Sequence, residues 1–170
     1  YGTSSGGHQA LLVALRPDDP RYRVHPLSEA PSMDAKVAFV VAGWAVLYPA
    51  ERLKLATAAG NQSLIKSHAT FFADEAQQLE ATPALAIARG EKLSYPPALV
   101  FQGTLDEWTT VAQAQELATR WRGAGGQFDL LLLEGERHTF VNEHPFTPNW
   151  VKAVEAVKAF MRRHGAGRAA

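Results

Sequence analysis

Pro97-Ala98-Leu99-Val100-Phe101-Gln102 is a short apolar run bounded by prolines on one side and by Gly103 on the other, the pattern of a buried strand. A second such run occupies residues 128–133, and residues 109–122 between them carry apolar positions at helical spacing. Strand, helix and strand in that order make a right-handed crossover between parallel neighbours. The fold class is therefore α/β, a parallel sheet flanked by helices. Working outwards, Val37-Ala38-Phe39-Val40-Val41-Ala42 is a nearly continuous apolar stretch suited to a parallel strand buried on both faces. Residues 5–15 place Ala10, Leu11, Ala14 and Leu15 at helical spacing before Pro17 stops the run. Residues 16–35 hold Pro17, Pro20, Pro26 and Pro31 and read as an extended connection inside the domain. Residues 50–93 are mostly helix formers interrupted at Gly60-Asn61, Thr82-Pro83 and Gly90, which gives a small helical insertion or cap. Residues 149–163 close the chain with a helix presenting Val151, Val154, Val157, Phe160 and Met161, and 165–170 read as a flexible tail.

Composition excludes several classes. Seventeen basic residues balance seventeen acidic ones, with 46% hydrophobic and 20% charged residues, so nucleic acid is not an expected partner and disorder is not expected. The longest apolar run, residues 37–50, is shorter than the roughly 20 residues needed to span a bilayer, so no membrane span is expected. With no cysteine there is no disulfide framework and no thiolate chemistry, and the redox compartment is not readable. The lack of cysteine and of a visible leader leans towards a cytoplasmic setting. No metal site is expected, because nothing in the chain has metal-ligand spacing such as H-E-x-x-H, and no cofactor is expected.

Gly2-Thr3-Ser4-Ser5-Gly6 fits G-x-S-x-G, a motif whose content is steric. The central serine sits on a strained turn from strand to helix, and the glycines let backbones approach. Centring on Ser5 would put Thr3 where the first glycine belongs, so Ser4 is the candidate nucleophile and the Ser5 N–H, at the positive end of the helix, a candidate oxyanion donor. A serine hydroxyl needs a base, and the base needs a carboxylate to fix its tautomer. Asp106 follows the Pro97 strand and His138 follows the 128–133 strand, at the carboxyl ends where an open parallel sheet gathers its site. Taken singly, Asp106 reads as a helix cap and His138 as a surface loop residue. Jointly, in the order Ser4, Asp106, His138, they read as a catalytic triad, with Glu107 the alternative acid. Trp44, Phe71, Phe72 and Trp108 are candidate substrate-pocket walls. His8 reads as a packed helix residue, His68 as an exposed one, and Arg137 as a solvated side chain beside the base.

The words Gly2-Thr3-Ser4-Ser5-Gly6-Gly7-His8, Pro97 to Asp106 and Glu134-Gly135-Glu136-Arg137-His138-Thr139-Phe140 resemble the α/β-hydrolase superfamily. The likeness is to its esterase and lipase branch, which includes hormone-sensitive-lipase-like and feruloyl-esterase-like carboxylesterases. That resemblance implies an esterase acting on small-molecule esters through an acyl-enzyme. A peptidase of the same fold and a catalytically silent binding module on the same scaffold are the alternatives. It also implies that 1–170 is the carboxyl-terminal half of the domain, opening at the nucleophile elbow. The remaining strands and a second oxyanion donor would then come from an amino-terminal companion chain or a missing segment. Acyl-chain and alcohol preference, stereoselectivity, physiological substrate and oligomeric state are not written in these residues, and self-association is compatible with them.

Overall fold

The computed structural model describes residues 1–22, 24–25 and 27–165. Four strands, β1 (Gly2–Thr3), β2 (Val40–Gly43), β3 (Ala98–Gly103) and β4 (Phe128–Leu133), form one all-parallel sheet in that spatial order. Apolar side chains alternate between its two faces. Val40, Ala42, Ala98 and Val100 pack with Leu11 and Leu15 of α1 (Ser4–Leu15) and with Leu117 and Trp121 of α6 (Val111–Gly123). Val41, Leu99 and Phe101 pack on the other face with Ala153 and Phe160 of α8 (Pro148–Gly165). Burying a side chain of Leu or Phe size contributes about 1.5–3 kcal/mol, so both faces must be covered for β3, all of whose residues are buried, to be stable.

The strand expected over 37–42 starts later, at Val40. Its first ladder bond runs from the Val40 N–H to the carbonyl of Pro97, 2.9 Å, and its register begins opposite Ala98. Pro96 and Pro97 carry no N–H, so residues ahead of Val40 have no ladder to join and Val37 is left exposed. Likewise β3 begins one residue later than the apolar run. The helix expected from 109 starts at Val111, because Thr110 caps it: the Gln113 N–H donates to Thr110 Oγ1 and the Gln113 side chain accepts from the Thr110 N–H.

The closing helix buries a different stripe from the one expected. Ala153, Val157 and Phe160 face the sheet, whereas Val151 and Met161 are about half exposed. Successive residues turn by about 100°, so steps of three drift by about 60° each and carry Val151 to the side opposite Phe160. Alternating steps of four and three stay on one side.

The region 50–93 forms α2 (Pro49–Ala58), α3 (Gln62–Phe71), α4 (Glu75–Glu80) and α5 (Pro83–Ala88). Gly60 adopts φ +64° at the first break, and Asn61 caps α3 by accepting from the Leu64 N–H. Another break has no glycine or proline: Asp74 caps α4 by accepting from the Gln77 N–H at 2.8 Å. Arg16, buried just beyond α1, ties that helix to this layer, donating from Nε to Glu91 at 3.0 Å and from Nη2 to the Glu80 carbonyl at 3.1 Å. The described residues of the proline-rich connection include a short 3-10 turn, Pro20–Tyr22. Pro26 and residues 166–170 of the expected tail lie outside the described residues, while Gly165 ends α8. No helix among the described residues is long and apolar enough to cross a membrane.

His8 is buried on α1 and donates from Nε2 to the Ala81 carbonyl at 2.7 Å. Burial holds its pKa below the ordinary histidine value, so the folded state keeps it neutral while the unfolded chain takes up a proton near pH 6.5. The unfolded state therefore binds more protons in that window, and stability must fall as pH drops below about 6.5. Urea unfolding at pH 7.5 and 5.5 is expected to show this loss, and a His8→Gln variant, which keeps a donor without titrating, is expected to show a smaller one.

Candidate active site

Ser4 opens α1 with φ +50°, in the left-handed region that an L-residue occupies at a cost of about 1–3 kcal/mol. The turn is held from below by Gly2: a Cβ there would sit 2.2 Å from the Gly6 carbonyl oxygen. On the helix side the close approach falls at Gly7, whose added Cβ would meet that of Ala45 at 2.8 Å, while Gly6 has open space where a methyl would go. Only one of the two motif glycines is thus required by its own missing side chain. From above, the Ser4 carbonyl accepts the Val46 N–H at 3.1 Å.

Ser4 Oγ lies 3.0 Å from His138 Nε2, and His138 Nδ1 lies 2.8 Å from Asp106 Oδ2. Because a carboxylate only accepts, Nδ1 carries the proton and Nε2 of the neutral ring presents its lone pair to the serine hydroxyl. Asp106 is buried, and both its oxygens are satisfied: Oδ1 accepts the N–H groups of Trp108 and Thr109, and Oδ2 accepts Gln102 Nε2 at 2.7 Å as well as the imidazole. Glu107, one residue on, is exposed and reaches the His138 backbone N–H only at 3.5 Å, so it is not the ring's partner.

The loops bearing Asp106 and His138 are stitched together. Thr104 N–H donates to the Leu133 carbonyl, Leu105 N–H to Glu136 O, and Gly135 N–H to Thr104 Oγ1. A Cβ on Gly103 would fall 2.3 Å from Glu136 O, so the two strand ends meet at backbone contact. Asn149 Nδ2 donates to the Glu134 carbonyl and to Glu136 Oε1, fastening the His138 loop to α8. The segment after β2 closes the circuit, with Trp44 at φ +36° and the Ala45 carbonyl accepting Thr109 Oγ1 at 3.0 Å.

Of the expected pocket walls, Phe71 and Phe72 do line a cavity of about 210 Å³ that Ser5 also borders. Trp44 does not behave as a wall. It is fully buried between Phe101 and Phe140, because its turn directs the ring back into the core. Trp108 is half-buried and its backbone serves Asp106. Sequence reasoning missed Gln102, the strand residue that holds the carboxylate. Its signal was a fully polar side chain inside an otherwise apolar buried run. His68 is buried, against the exposed position expected, and stacks on Phe72. Among the described residues no cluster of His, Asp or Glu could hold a metal ion.

Residues 1–166 match the prolyl oligopeptidase family, so the chain belongs to that family, and its sheet is part of an α/β-hydrolase fold. No similar sequence is found among curated proteins. Among solved structures it is similar to the thermophilic esterase 2 of the planctomycete Thermogutta terrifontis. The native form matches at 22% identity and a TM-score of 0.67 over 99% of this chain and 56% of the esterase. The same esterase phosphonylated by sarin matches at 20% identity and 0.68, over 94% of this chain and 54% of the esterase. These likenesses concern the fold. The chain spans about half the length of those esterases.

The glycine geometry separates two alanine substitutions in one motif. Gly2→Ala should lower unfolding free energy by at least about 2 kcal/mol, since backbone rather than a flexible side chain must move. Gly6→Ala, inside α1, should be neutral or stabilising by up to about 1 kcal/mol. Denaturant titration of the two variants beside the parent chain checks both.

Proposed function

We propose that this chain carries the catalytic triad of a serine hydrolase that cleaves carboxylic esters. The hydrogen-bonded series Ser4, His138, Asp106 supports the reading: nucleophile, base and carboxylate stand within direct reach of one another with the imidazole tautomer fixed. Ser4 Oγ attacks the carbonyl carbon as its proton passes to His138 Nε2. The tetrahedral oxyanion faces the Ser5 N–H, in the first turn of α1, whose capping position Thr3 offers no side-chain bond. Collapse expels the alcohol, which takes the proton from His138 and leaves an acyl-serine. Water then attacks that acyl group, again deprotonated by His138, releasing the acid and restoring Ser4. Asp106 orients the ring and stabilises the imidazolium without itself taking the proton.

Membership of the prolyl oligopeptidase family supports a second reading, peptide-bond cleavage by the same groups. Turnover of short-chain aryl esters against peptide amides separates the two, and amide cleavage at equal or better efficiency would displace the ester reading. Residues 50–93 form the layer we assign to substrate selection. The second oxyanion donor is assigned, as part of the same proposal, to a companion chain or to residues outside 1–170.

A fluorophosphonate probe is expected to label the parent chain and not Ser4→Ala. Asp106→Asn should retain the fold but lower the labelling rate by about three to four orders of magnitude, because the amide selects the wrong imidazole tautomer. Labelling that persists in Ser4→Ala would remove the assignment of the nucleophile.

A further inference from the structure

The 210 Å³ cavity bordered by Ser5, the residue after the nucleophile, is lined by three basic side chains, His8, Arg52 and His68, and by no acidic one. Phe71 and Phe72 form its apolar wall. His8 is accounted for by the Ala81 carbonyl. The other two are not. His68 is 3% exposed, yet neither ring nitrogen has a hydrogen-bond partner, and Arg52 Nε is likewise buried and unpartnered. Arg52 forms no salt bridge with a described residue, in contrast to Arg16, Arg21, Arg89, Arg120 and Arg163. A buried polar group without a partner is destabilising, so a fold that holds two such side chains beside one cavity retains a cost that a ligand relieves.

The charges point the same way. The attractive charge acting on Arg52 is that of Asp106, which places the guanidinium within electrostatic reach of the site, but that carboxylate is already committed to four donors. Burial and the neighbouring Arg52 both hold His68 below the ordinary histidine pKa, so it offers a neutral N–H donor beside a fixed positive charge. A cationic donor and a neutral donor over an aromatic wall, with no acidic side chain lining the cavity and Asp106 already saturated, match a carboxylate attached to an apolar stem.

Resting on the hydrolase reading above, we propose that Arg52 and His68 form a subsite for a carboxylate borne by the substrate, so that this site favours acidic esters over their neutral counterparts. Arg137, exposed beside the base, has no such enclosure. The carboxylate could belong to the acyl half or to the leaving half of the ester, and the test has an arm for each.

In the acyl arm, mono-(4-nitrophenyl) adipate is compared with its methyl ester; in the leaving-group arm, 3-carboxyphenyl butyrate is compared with 3-(methoxycarbonyl)phenyl butyrate. Each pair differs only by masking of the charge. A charge-assisted hydrogen bond of about 1.5–3 kcal/mol corresponds to a preference of at least about ten-fold in kcat/KM for the free acid in one arm. The preference should disappear in Arg52→Met, persist in Arg52→Lys and shrink in His68→Phe. Fluorophosphonate labelling of each variant reports that its triad is still assembled. No preference in either arm, or a preference unchanged in Arg52→Met, overturns the subsite. If the parent chain neither labels nor turns over any ester, it is the hydrolase reading that fails. Calorimetric titration of the full chain with adipate then decides the subsite separately: binding lost in Arg52→Met upholds it, and no binding to the parent chain removes it.

Discussion

A buried carboxylate with every acceptor position used is the constraint on which the rest of this molecule turns. Asp106 sits in the loop just beyond β3 with an imidazole, an amide and two backbone N–H groups around it. An ion in that position is tolerable only while those donors stay in place, since removing a partner from a buried charge costs about 3–5 kcal/mol. Gln102 is therefore an inward-facing polar residue on an otherwise apolar strand, and the chain after Asp106 must turn at once so that Trp108 and Thr109 can point back. The helix cap at Thr110 follows from that turn. Functional geometry and local folding are here one set of hydrogen bonds.

Three of the four non-glycine positions with positive φ among the described residues share a neighbourhood with that carboxylate; the fourth, Phe146, is exposed in the loop before α8. Ser4, Trp44 and Thr139 have positive φ, and each lies just beyond a strand or next to the base. Such conformations persist only where surroundings over-determine them. Residues 44–46 supply much of that determination: the Val46 N–H holds the Ser4 carbonyl, the Ala45 carbonyl holds Thr109, and the Trp44 ring is clamped between two phenylalanines. The segment after β2 contributes no atom to the proposed reaction, yet it joins the turn bearing Ser4 to the loop bearing Asp106.

What the sequence disclosed follows the reach of each signal. Strands and helices that answer to a local period were legible, as were the three residue types at the ends of their strands. Boundaries were lost where a partner strand decided them, as with Val40 waiting for the first residue after two prolines. Trp44 was misread because an aromatic at a strand end has no mark saying whether its backbone turn sends it outwards or back. His68 was read as exposed and Arg52 was not singled out for a related reason: burial of a helical residue is a property of tertiary packing, and neither side chain sits in a recognisable motif. The membership of the wider fold was legible because G-x-S-x-G and the two loop residues are fixed by chemistry rather than by packing.

Ser4, the proposed nucleophile, and the buried Arg16 stand at opposite ends of one helix. Twelve residues make a rod about 18 Å long. Tilting such a rod by one degree about its far end displaces its tip by roughly 0.3 Å, and productive alignment of reacting groups tolerates only about 0.5 Å. The ion pairs that Arg16 makes with Glu80 and Glu91 thus act as the fixed bearing of a pointer whose tip is the serine. Angular play at that bearing, remote from any substrate, sets how sharply Ser4 is aimed.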